Sequence, residues 1–96
     1  MTMSYSRETL NAAHRHSSRH REELEKSGIC GCFYCCRTFT AAEVQEWVRD
    51  EGGTALCPRC GIDSVIGSAS GYPVSEPQFL QAMHTRWFQT GTRLPF

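Results

Sequence analysis

Four cysteines stand in two pairs, Cys32-Phe33-Tyr34-Cys35 and Cys57-Pro58-Arg59-Cys60, in the pattern C-x2-C-x21-C-x2-C. A two-residue spacer lets both thiolates of a pair converge on one ion from a tight turn. Two such turns complete a tetrahedral four-sulfur shell with zinc–sulfur distances of about 2.3 Å. Soft thiolates select zinc over magnesium or calcium, and iron takes the same geometry. The spacing therefore predicts one zinc ion held by Cys32, Cys35, Cys57 and Cys60. Four thiolates leave no open position for water or substrate, so the expected role is structural and no catalytic residue is assigned. Zinc binding by finger peptides is worth about 10–16 kcal/mol, comparable to a small domain's whole stability. The centre is expected to fold only with metal.

A redox Cys-x-x-Cys would open a helix in a thioredoxin-like βαβ setting, and neither pair has that setting. Pro58 stiffens the second turn, and Gly61 just after it can take the positive φ that aims backbone amides at sulfur. Cys36 occupies the corresponding position after the first pair. Cys30 and Cys36 are expected to be packed small side chains, the usual fate of a free cysteine. The functional alternatives are ligand exchange with Cys32 or Cys35, or an oxidisable thiol. Four thiolates around one dication carry net negative charge, which Arg37 and Arg59 beside the ligands could offset; solvation of both arginines is the equal alternative.

Three of the four histidines, His14, His16 and His20, precede the cysteines. His16 and His20 are four apart, a spacing used in zinc sites, but no glutamate follows His16 and no further ligands cluster nearby, so a surface pair is expected. A ββα-metal nuclease would need a histidine inside residues 30 to 66, which hold none. His84 falls on the last predicted helix as a half-exposed packing residue. Phe33 and Tyr34 sit between ligands at a turn tip. Packing is their expected use, with base stacking or a partner's pocket as the alternative.

The elements that must position these residues are short. Thr40-Ala41-Ala42-Glu43 fits a capping box, with Phe39 and Val44 as its hydrophobic staple. Val44, Trp47 and Val48 follow at i, i+3, i+4, and Gly52-Gly53 makes a stop, which predicts a helix over 41–50. Thr54-Ala55-Leu56 and Ser64-Val65-Ile66 read as strands of a hairpin whose tip holds the metal. Residues 67 to 75 form a loop. Ser75 and Gln78 have capping-box spacing, and Phe79, Leu80, Met83, Trp87 and Phe88 share a wide apolar face, predicting a helix over 76–89 that Gly91 ends. At helical spacing Trp47, Trp87, Phe79 and Phe88 read as core rather than as a stacking platform. Residues 1 to 29 suggest one helix broken near Ser17-Ser18, docked on the rest or partly disordered, with an apolar stripe too thin to define an amphipathic helix. Removal of residues 1 to 13 is therefore expected to leave the thermal transition little changed.

The whole chain has 96 residues, enough for one small domain, with ten basic and ten acidic residues. Zero net charge excludes a strongly basic nucleic-acid coat protein while leaving local patches open. No apolar run approaches the roughly 20 residues of a membrane span, and the N-terminus lacks the apolar region of a signal peptide. A cytoplasmic location is expected.

The run Cys30-Gly-Cys-Phe-Tyr-Cys, with Trp47, then Thr54-Ala-Leu-Cys-Pro-Arg-Cys-Gly-Ile-Asp-Ser-Val-Ile-Gly and Gly71-Tyr-Pro, resembles a family of small bacterial proteins described only as cytoplasmic or hypothetical. The resemblance covers about residues 16 to 88. It implies bacterial origin, a cytosolic location and a zinc-bound core, and it brings no activity. Cys-Pro-x-Cys-Gly is also similar to one knuckle of a zinc ribbon or treble-clef finger. The expectation is an α+β fold: an N-terminal arm over 1–29, a zinc-ribbon-like or treble-clef domain over 30–91 with an inserted helix and a packed C-terminal helix, and a tail over 92–96. A strand after Cys60 favours the ribbon, because a treble clef starts a helix there. The expected function is a non-enzymatic interaction module with a protein partner. The alternative is a nucleic-acid-binding zinc ribbon, drawing on Arg15, Arg19 and Arg21 or on Arg37 and Arg59.

Overall fold

Ser6 opens the first helix because its hydroxyl accepts the Thr9 amide at 3.1 Å, satisfying one of the donors a helix start leaves free. A computed structural model describes residues 5–88. Helix α1 runs Arg7–His14, and a single 3₁₀ turn, Arg15–Ser17, follows it. The chain then breaks: Ser18 is extended and Arg19 takes φ +50°. Helix α2 is short, Arg21–Glu25. Strands β1 (Cys30–Cys32), β2 (Thr38–Phe39), β3 (Trp47–Val48), β4 (Thr54–Ala55) and β5 (Val65–Gly67) come next, and helix α3, Pro77–Phe88, closes the described chain. Gln89, Gly91 and the tail over 92–96 lie outside the described residues.

The five strands form two antiparallel sheets, one ordered β2-β1-β5 and one β3-β4. Cys30 pairs with Phe39 on one side and Gly67 on the other; Trp47 pairs with Ala55. The two strand segments flanking the second cysteine pair therefore do not make the expected hairpin. Residues 54–55 bond to β3 and residues 65–67 to β1, so each cysteine pair bridges different strands. A strand, not a helix, follows Cys60.

The helix expected over 41–50 is absent. Its first turn forms as predicted: Thr40 N–H donates to Glu43 Oε2 at 2.9 Å, and Phe39 and Val44 are both buried. The turn stops at Glu43, however, and Val44 is already extended at ψ 124°. Helix nucleation here gains few bonds, whereas pairing of 47–48 with 54–55 satisfies the same backbone groups in a sheet. Gly52 and Gly53, at φ +99° and +75°, are the turn of that hairpin rather than a helix stop.

The chain before α2 holds the hairpin from the other side. His20 N–H donates to the Gly53 carbonyl, Arg21 N–H to the Gly52 carbonyl and Arg19 N–H to Thr54 Oγ1. The Arg21 guanidinium lies 4.7 Å over the Trp47 ring. His20 is buried, and its imidazole is a rivet: Nδ1–H donates to the His16 carbonyl at 2.6 Å, and Nε2 accepts the Ala55 N–H at 3.0 Å. Burial holds this imidazole below its ordinary value, against the raising pull of the His16 carbonyl, Glu23 and Asp50. The folded state thus binds fewer protons than the unfolded chain, so stability is present above the unfolded value near 6.5 and is lost as pH falls. Protonated Nε2 could not accept from Ala55. The melting temperature of the metal-loaded chain should fall between about pH 7.5 and 5.5, and a His20→Gln variant should be less stable but flatter across that range. Parallel curves for the two proteins would assign the pH dependence elsewhere.

Two apolar clusters flank the three-stranded sheet. Leu10, Ala13, Phe33, Ile66, Val74, Phe79, Leu80 and Met83 join α1 and α3 to one face. Leu24, Cys30, Cys32, Phe39, Val44, Ala55, Cys57 and Val65 pack on the other. Val65 and Ile66 fall in different clusters, as period-two alternation requires.

Candidate metal centre

Each cysteine pair sits on a turn of the same design. In the first, Cys36 N–H donates to the Cys32 carbonyl at 2.7 Å; in the second, Gly61 N–H donates to the Cys57 carbonyl at 2.9 Å. Both closing residues are left-handed, Cys36 at φ +60° and Gly61 at +82°. A glycine adopts that conformation without penalty and a cysteine does not, so the first turn carries strain that the second lacks.

These turns aim backbone amides at sulfur. Cys32 Sγ accepts the Tyr34 N–H at 3.3 Å, and Cys57 Sγ accepts the Arg59 N–H at 3.3 Å and the Cys60 N–H at 3.4 Å. The Arg37 and Ile62 amides serve Cys35 and Cys60 in the same way. Every sulfur thus has an amide donor from the residue two positions on, an arrangement that stabilises thiolate over thiol. Ser64, buried beneath the first turn, adds its hydroxyl 3.1 Å from Cys32 Sγ.

The four sulfurs lie within 4.8 Å of one another. Cys32 Sγ is 3.7 Å from Cys60 Sγ, and Cys35 Sγ is 3.8 Å from Cys57 Sγ. A tetrahedron with arms of about 2.3 Å has edges of about 3.8 Å, so a four-thiolate shell fits this donor set. Cys32 and Cys57 are buried, whereas Cys35 and Cys60 are half-buried. Burial, then the neighbouring Cys32 and Cys57, pushes the Cys35 thiol up to about 11, and the same causes push Cys60 up. At Cys57 burial also pushes upward, but the amides of Arg59 and Cys60 and the thiols of Cys60 and Cys32 outweigh it and hold the group below its ordinary value. A dication bound among these sulfurs would displace the protons of any ligand still in the thiol form.

The remaining candidates are placed elsewhere. Among the described residues no second group of metal-binding side chains forms. Cys30 is buried in β1, where burial pushes its thiol up to about 11, and Cys36 is half-buried against the α1–α3 cluster. His16 and His20 do not share a helix face, because the chain turns between them; His16 instead pairs with Glu23 at 3.0 Å. His14 packs against Trp87 with ring centroids 4.0 Å apart. His84 Nδ1 lies 3.1 Å from the Phe33 carbonyl, tying α3 to the first turn.

Of the two tip aromatics, Phe33 is buried, and Tyr34 is 44% exposed, edge-on to Phe88 at 4.9 Å. Arg59 does not face the sulfurs as a free counter-charge, since its guanidinium bonds Glu43 Oε1 at 2.7 Å. The Thr40 amide and then Arg59 hold the Glu43 carboxyl below its usual range. The roles of Ser64 and His20 had no sequence signal, because each depends on a partner about 30 residues away. No helix among the described residues is long and apolar enough to cross a membrane. No protein-family model, curated protein or solved structure matches the chain.

Proposed function

We propose that this chain is a small cytoplasmic zinc protein, akin to the bacterial family its cysteine segments resemble. In this reading one structural zinc stabilises a non-enzymatic, zinc-ribbon-like module that binds a protein partner. The observation that carries it is the sulfur tetrad, with spacing that suits a tetrahedral ion and an amide donor on every sulfur. Four thiolates fill the shell, so the ion would supply cohesion and leave no site for substrate. A strand, β5, follows the last ligand, which favours a ribbon over a treble clef, while the two strands flanking the second turn lie in different sheets.

Native mass spectrometry with elemental analysis, on protein purified without chelator, tests the reading. One zinc per chain, with the thiol protons displaced, is expected. A metal-free chain, or a mass showing disulfides, would overturn it and reopen redox chemistry at the two cysteine pairs.

A nucleic-acid-binding ribbon is the second reading, favoured by exposed Tyr34 and Phe88 at one tip. Such aromatics stack bases, but phosphate binding also needs basic charge, and the chain has none in excess. An electrophoretic shift with DNA and RNA that weakens with salt would support this second reading, and a shiftless salt series would remove it.

A further inference from the structure

Strand β3 has a single neighbour, because its sheet is ordered β3-β4. The outer side of β4 is taken, since Ala55 N–H donates to His20 Nε2 and Thr54 Oγ1 accepts the Arg19 N–H. The outer side of β3 meets no strand among the described residues. Register shows which groups it presents. Leu56 N–H points inward to the Glu46 carbonyl, whereas Ala55, the partner of Trp47, turns its N–H away from β3. Alternation then turns the N–H and C=O of Gln45 and Trp47 outward. An open strand edge of this kind is a template for an added strand.

Its side chains give that edge a preference. Glu46 and Val48 share one face, both are exposed, and Val48 is 42% so. The Glu46 carboxylate takes part in no ion pair among the described residues. With Glu43, Leu56, Cys57, Pro58 and Arg59 it lines a cleft of about 440 Å³. Arg59 is already paired with Glu43, so the unpaired charge on the cleft is the negative one of Glu46.

The geometry points to the outer edge of β3 as a docking edge for an extended segment of a protein partner, one that places a basic residue opposite Glu46 and an aliphatic residue two positions away opposite Val48. This deepens, and rests on, the reading of the chain as an interaction module. Backbone bonds to Gln45 and Trp47 set the register, and the two cross-strand pairs set the selection. A second copy offering the same edge does not meet the requirement. In the antiparallel registers open to two β3 edges, Glu46 faces Val44, Glu46, Val48 or Asp50, never a base.

The probes are two capped heptapeptides, Thr-Lys-Thr-Val-Thr-Lys-Thr and its counterpart with Glu in place of Lys. Each is titrated into the zinc-loaded full chain and followed by ¹H–¹⁵N correlation spectra. The basic peptide should give saturable shifts at the amides of residues 45–48 and bind about tenfold more tightly than the acidic one. Gln45→Pro removes one outward N–H that the fold does not use, and extended Val44 before it suits proline; this variant should lose the binding. Glu46→Lys should reverse the preference between the peptides, which keeps the test decisive should the proline disturb the hairpin.

Absence of saturable shifts up to about 5 mM, equal binding of both peptides, or shifts confined to another face would overturn the proposal. Concentration-dependent shifts at 45–48 without peptide would overturn it in favour of a second copy. A dispersed, zinc-dependent spectrum without peptide binding strikes only the docking edge, whereas a spectrum indifferent to zinc strikes the metal reading beneath it.

Discussion

Cys57→Ser and Cys60→Ser should each abolish the soluble, folded chain. Losing one thiolate forfeits a large part of a binding free energy of about 10–16 kcal/mol, more than a domain this small holds in reserve. The loss is measured by amide dispersion and by zinc content per chain. A strong chelator applied to the native protein should produce the same collapse. Cys36→Ser provides the contrast. Cys36 is half-buried, stands outside the sulfur tetrad and contributes mainly a left-handed turn, so the change should cost about 1 kcal/mol or less. Release of the ion by Cys36→Ser alone would show that the ligand set is misassigned.

The second large effect lies at the other end of the chain. Deleting residues 1–13 should lower stability by at least about 3 kcal/mol, and Leu10→Ala alone by about 2–5 kcal/mol. Leu10 and Ala13 belong to the same cluster as Phe79, Leu80 and Met83, and Tyr5 packs edge-on against Phe79 at 5.4 Å. Asn11 Oδ1 also accepts the Arg86 side-chain N–H at 3.1 Å. The thin apolar stripe of this segment had suggested that it was dispensable; two small contact points suffice because α3 presents a wide apolar face to them. Urea denaturation of the truncated and full chains decides, and matching midpoints would restore the dispensable arm.

What could be read from the sequence was what is local. A C-x2-C turn is made within five residues, and the sulfur tetrad followed from counting. Helix α3 was legible for the same reason, since its apolar face and first-turn proline lie in one continuous segment. The stretch after Thr40 failed because its pattern serves two structures. Val44, Trp47 and Val48 fit a helical face, but Val44, Glu46 and Val48 also alternate along a strand. Residues 54–55, which pair with 47–48, and residues 19–21, distant in sequence and bonded to 52–54, decided between them. The imidazole of His20 was unreadable on the same ground: its two partners are the His16 carbonyl and an amide 35 residues away.

The two cysteine turns lie on either side of the β3–β4 hairpin, and this has a topological result. An ion bound to both fastens residue 35 to residue 57 and makes a ring of the chain between them. Closing a ring of roughly 20 residues removes about 3 kcal/mol of conformational freedom from the denatured chain, by the reasoning applied to disulfides. Part of the metal's benefit is then exerted on the denatured ensemble rather than on the native contacts. The hairpin cannot drift away from the rest of the molecule while the ring is shut. Solvent exchange at its hydrogen-bonded amides, Leu56 among them, would then be timed by how long a bound ion stays.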